Sequence, residues 1–112
     1  MRLSAFAFVA GIAFLPAAGA APSGVELFAR ADLGACAACH QLAPGAGPPS
    51  RADLGPRLEG ARMRSLGKPA IRAVIVDPTV ANPDTVMPPY GRHRILDAAE
   101  IDRLVDYLYA LP

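Results

Sequence analysis

The segment Cys36-Ala37-Ala38-Cys39-His40 constrains this chain more than any other feature, because it holds both cysteines of the 112-residue sequence. A disulfide between Cys36 and Cys39 would close a very short loop. The constraint that a bridge places on an unfolded chain shrinks with the loop it closes, so this one would hold little together. A thioredoxin-like C-x-x-C belongs in a βαβ setting, which the surrounding sequence does not offer. A structural zinc site needs further Cys or His ligands at suitable spacing, and His93 is the sole histidine besides His40.

The spacing suits a different chemistry. Residues three and four apart lie on one face of a helical turn. Two thiols placed in this way can add across the two vinyl groups of a haem to give thioethers. The imidazole of His40, four residues on from Cys36, can then aim at the iron from the same turn. C-x-x-C-H is for this reason the signature of c-type haem attachment. One covalent haem c is expected, attached at Cys36 and Cys39 and ligated by His40.

The start of the chain carries a second message. Arg2 precedes an apolar run from Leu3 to Leu15, and the small residues Ala18-Gly19-Ala20 follow. Charge, apolar run and small-residue exit, in that order, predict a secretory signal peptide over residues 1–20. The run falls short of the roughly 20 apolar residues that span a bilayer, so no stable membrane span is expected after cleavage. Export places the mature chain, residues 21–112, in the periplasm. About 90 residues then remain, a size at which a domain buries only a modest share of its surface and benefits from a cofactor at its centre. Net charge is close to zero, which points neither to nucleic acid nor to an anionic membrane surface.

Along the mature chain the signals are helical. Ser23 and Glu26 form a capping box, and the helix they open is expected to run to about Leu33, with Gly34 ending it. Leu42 to Pro56 is rich in Pro, Gly, Ser and Ala and reads as loop. A short helix is expected over Glu59 to Leu66. Another follows in which Pro69 suits the first turn and Ile71, Val74 and Ile75 form a stripe, although Val74-Ile75-Val76 would also suit a strand. Pro78, Pro83, Pro88 and Pro89 make Asp77 to Tyr90 a constrained loop. Asp97 and Glu100 form a second capping box ahead of a helix carrying Ile101, Leu104, Val105, Leu108 and Leu111 at helical spacing.

Haem iron takes a second axial group or stays open to small ligands. Met63, Met87 and His93 are the available side chains. Met87 is favoured, since rigid Pro-rich backbone lowers the entropy that holding a weak thioether ligand would otherwise cost. Met63 reads as a filler of core gaps, and His93, between Arg92 and Arg94, as a surface histidine. His/Met ligation raises the reduction potential relative to His/His and fills both axial positions, which favours electron transfer over gas binding. A ligating imidazole usually donates its other N–H to a carbonyl, and Pro56 is the expected acceptor. Arg57, Arg62, Arg64, Lys68, Arg72, Arg92 and Arg94 could form a basic collar that steers an acidic partner.

With these residues in view, the chain resembles class I cytochromes c over its whole mature length. Its details resemble more specifically the SoxX family, the monohaem subunits of a sulfur-oxidation cytochrome complex. The resemblance is carried by Gly34 to His40, by Asp53-Leu54-Gly55-Pro56 and above all by Asn82-Pro83-Asp84-Thr85-Val86-Met87-Pro88-Pro89-Tyr90-Gly91. Tyr90 departs from it mildly, where Phe is more usual. The resemblance implies an all-α class I cytochrome c fold, a small helical domain wrapped around one haem c. It also implies a heterodimer with a SoxA-like haem subunit that holds the catalytic cysteine. That complex oxidatively joins thiosulfate to a cysteine of a carrier protein, and this chain would pass the electrons singly to a soluble cytochrome. The alternative is a free soluble cytochrome carrying electrons to an oxidase or reductase. Neither thiol is left to act as a nucleophile, so no catalytic residue is expected in this chain.

Overall fold

The computed structural model describes Met1 and residues 11–112. Residues 2–10 of the predicted leader lie outside the described residues. Residues 11–21 have no regular structure and are exposed. Order begins at Pro22 and Ser23, where the first predicted capping box is formed. Glu26 Oε2 accepts from the Ser23 amide at 2.8 Å, and the Ser23 hydroxyl accepts from the Glu26 amide at 3.4 Å.

Four α-helices follow: α1 (Gly24–Ala29), α2 (Gly60–Leu66), α3 (Lys68–Val76) and α4 (Ala98–Tyr109). Short 3-10 turns occupy Cys36–Ala38 and Pro78–Val80. Among the described residues there is no strand, only an isolated parallel bridge between Leu42 and Leu58. The β-branched run Val74-Ile75-Val76 lies in α3, because Ile71 and Ile75, four apart, both face the core at 5% and 4% exposure. Helix α1 is shorter than expected. It ends at Ala29 and not near Leu33, since the Gly34 amide turns back to the Leu27 carbonyl and the Ala35 amide to that of Arg30. This doubling back returns the cysteine segment to the side of α1.

The core is one cluster. Leu27 and Phe28 from α1 meet Ile101, Leu104, Val105 and Leu108 from α4, with Met63, Ile71 and Ile75 from α2 and α3. The first and last helices cross closely: a Cβ on Gly24 would run into Cβ of Tyr107 and come within 2.8 Å of the Arg103 carbonyl. The Phe28 and Tyr107 rings sit 5.9 Å apart and tilted by 56°, a favourable aromatic arrangement. The Arg103 guanidinium donates to the Pro22 carbonyl at 2.8 Å, and Arg64 donates to the Leu111 carbonyl at 2.6 Å. Helix α4 opens on the predicted box, with the Glu100 amide 2.7 Å from Asp97 Oδ1.

Candidate functional site

The cysteine segment begins at Ala35, which adopts the left-handed conformation at φ 52°. A residue with a Cβ reaches that region only at a cost, and here it starts the 3-10 turn. The Cys39 and His40 amides both donate to the Cys36 carbonyl, at 3.1 and 2.9 Å. Cys36, Cys39 and His40 therefore share one tight turn, as their spacing predicts. Both thiols are free and half-buried. Burial pushes the Cys36 thiol up to about 11, and the neighbouring Cys39 thiol adds to the shift.

His40 is fixed by a short stretch of parallel pairing. The Gly55 amide donates to the Cys39 carbonyl and the Leu58 amide to the Gln41 carbonyl, each at 2.8 Å. Between these two bonds His40 faces Pro56, and His40 Nδ1 donates to the Pro56 carbonyl at 2.7 Å. A carbonyl can only accept, so the ring proton sits on Nδ1 and Nε2 keeps its lone pair. Gly55 permits this approach, because a Cβ there would run into the imidazole ring. The Ser50 hydroxyl adds a tie from the intervening loop to the Ala37 carbonyl at 2.7 Å.

Met87 lies in the irregular segment after the Pro78–Val80 turn, half-buried against the core cluster. Its amide is held by the Thr85 hydroxyl at 3.1 Å. Tyr90 packs on the same cluster. Burial pushes its phenol up to about 12, with smaller contributions from the Cys36 and Cys39 thiols. Met63 is a core residue, 4% exposed, and His93 is exposed. Both have the environments that the sequence suggested for a gap filler and a surface histidine.

The basic collar is largely committed elsewhere. Lys68 pairs with Asp106 and Arg72 with Asp102, both at 2.8 Å, and Arg92 with Asp77 at 3.2 Å. Arg57 donates to Gln41. Arg62 and Arg94 have no ion-pair partner among the described residues. Sequence reasoning also missed Thr85 as the support of the Met87 amide. The Thr-x-Met spacing was the available signal, since Thr hydroxyls bond the backbone two residues on.

A haem fits these side chains. Two thiols share one turn, an imidazole offers Nε2 while Nδ1 is occupied, and an apolar thioether lies on the same core. Among the described residues no three His, Cys, Asp or Glu side chains cluster as a metal site of another kind. No helix among them is long and apolar enough to cross a membrane.

Comparison with known proteins agrees with this chemistry. No curated protein sequence matches the chain. The family model described as cytochrome c oxidase, cbb3-type, subunit III matches residues 19–108, which includes the attachment turn, the Pro56 segment, Met87 and all but the last residue of α4. Membership carries one covalently bound haem c and haem-based electron transfer. The chain thus belongs to the cbb3-type cytochrome c oxidase subunit III family and is a monohaem class I c-type cytochrome domain.

Proposed function

We propose that this chain is an exported one-electron carrier in which Cys36 and Cys39 hold the haem through thioethers and His40 and Met87 are its axial ligands. The observation that carries this reading is the 2.7 Å contact of His40 Nδ1 with the Pro56 carbonyl. It fixes the tautomer and the ring orientation, so Nε2 is the nitrogen presented to a metal. Bound haem supplies an iron that takes up and gives back single electrons. The protein would hold the group through His40 on a pinned turn and Met87 on proline-rich backbone. Carbon monoxide titration of the reduced protein tests this. Slow or absent binding is expected, and rapid binding would refute the Met87 assignment.

Export rests on the leader at residues 1–20, whose described part, residues 11–20, is exposed and makes no regular structure. The working compartment is then the periplasm. The similarity of Asn82 to Gly91 to SoxX supports a finer reading, in which the chain pairs with a SoxA-like haem subunit. The catalytic cysteine lies on that partner, which couples thiosulfate to a cysteine of a carrier protein, and this chain relays the electrons to a soluble cytochrome. A second reading, a free carrier delivering electrons to an oxidase, is favoured by the match to an oxidase subunit family. Gentle isolation of the periplasmic protein separates the two. A stoichiometric second cytochrome supports the complex, and recovery solely as a monomer supports the free carrier.

A further inference from the structure

The segment that carries Met87 leaves α3 at Val76 and returns to it three residues after the methionine. On its return the Tyr90 amide donates to the Ile75 carbonyl at 3.1 Å. The Gly91 and Arg92 amides donate to the Val76 carbonyl at 3.2 and 3.0 Å. Side chains close the same neck. Asp77 Oδ1 accepts from the Thr79 amide at 3.1 Å and from the Thr79 hydroxyl at 2.5 Å. Asp77 Oδ2 accepts from the Arg92 guanidinium at 3.2 Å, and the same Arg92 nitrogen donates to the Thr79 hydroxyl at 3.3 Å. The Asp77 side chain is 16% exposed and that of Arg92 57%. Beyond this neck the segment has only local bonds: the Asn82 amide donates to the Pro78 carbonyl, the Thr85 amide to the Asn82 carbonyl, the Asp84 amide to the Asn82 side chain and the Met87 amide to the Thr85 hydroxyl.

We infer that Asp77, Thr79 and Arg92 form a latch that positions Met87 and so sets how often the sixth position of the iron opens to outside ligands. This rests on the reading of Met87 as an axial ligand. A thioether is a weak ligand, and its retention depends on the order of the backbone that presents it. An outside ligand binds only the open form, so its apparent dissociation constant is the intrinsic one divided by the open fraction. Loosening the latch raises that fraction and tightens the apparent binding by the same factor. The residues act on the iron only through Met87 and are positioning residues.

The test is titration of the ferric, haem-loaded protein with imidazole, alongside the far-red sulfur-to-iron absorption band. Arg92→Ala is the main variant, since Arg92 is largely exposed and its side-chain bonds run only to Asp77 and Thr79. Imidazole is expected to bind about fivefold more tightly to it than to the natural protein, about 1 kcal/mol at 1.4 kcal/mol per tenfold. Arg92→Lys should recover most of the difference. Asp77→Ala should match or exceed Arg92→Ala, and the double variant should be no weaker in its latch than Asp77→Ala alone, as coupled residues require. Unchanged imidazole affinity in Arg92→Ala, with or without a lower melting temperature, would overturn the latch while leaving the Met87 ligand in place. Absence of the far-red band from the natural protein would overturn the ligand reading and the latch with it.

Discussion

The imidazole Nδ1 of His40 and the carbonyl oxygen of Pro56, sixteen residues further on, lie 2.7 Å apart. Their meeting depends on the flanking bonds from Gly55 to Cys39 and from Leu58 to Gln41, which set the register of the two segments. A ring held on both sides of its backbone has little freedom to turn.

Gly55→Ala tests that arrangement. The added Cβ would overlap the His40 ring, and overpacking of this kind costs about 1–3 kcal/mol. Less haem-loaded protein and a displaced Soret band are expected. Wild-type yield and spectrum would show that the ring is not confined by Gly55.

Met63 provides the contrast to Met87. It is 4% exposed within the core, so Met63→Ala should lower stability by about 2–5 kcal/mol. The far-red absorption band should stay. Denaturant unfolding and the absorption spectrum of one sample measure both effects.

Phe28 is fully buried between α1 and α4. Phe28→Ala should cost about 3–5 kcal/mol and shift the denaturation midpoint accordingly. A loss under 1 kcal/mol, measured by the same denaturation, would mean that the two helices do not depend on this ring.

Glu26 sets an acid dependence. The Ser23 amide, then the Ser23 hydroxyl, hold its carboxyl below the usual carboxylate range, with Arg30 a smaller contributor. The folded state therefore favours the ionised form. The stability that Glu26 contributes is complete above the ordinary carboxyl value of about 4.3 and fades as the pH falls through the lower folded value. The melting-temperature gap between the natural protein and Glu26→Gln should be widest near neutral pH and close in acid.

The ion pairs from α3 to α4 should count for little. Lys68–Asp106 and Arg72–Asp102 are both well exposed, and such pairs contribute about 0–1 kcal/mol each. Asp102→Asn should lower the melting temperature only slightly, and less in high salt.

What was legible in the sequence was local. Both capping boxes, at Ser23–Glu26 and Asp97–Glu100, follow from residue types three apart, and both are present. The shared turn of Cys36, Cys39 and His40 follows from spacing in the same way. Pro56 was expected as the acceptor for His40 because a ligating imidazole usually donates to a carbonyl and Leu54 to Leu58 was a plausible source of one. The rest depended on where the chain returns. The early end of α1 comes from amides of Gly34 and Ala35 folding back, which no propensity encodes. The pairing of Arg92 with Asp77 spans the whole Met87 segment, so Arg92 also read as part of the basic collar. Lys68 and Arg72 read as collar residues because their acidic partners lie a helix away, on α4.

The close crossing of α1 with α4 also bears on the order of assembly. The chain emerges with α1 first, but the residues that α1 packs on, Ile101 to Leu108, come last. Contacts this distant in sequence form late and slowly. Until α4 is complete, Leu27 and Phe28 lack the helix that buries them, so the cysteine turn that packs against α1 has an unfinished core beside it.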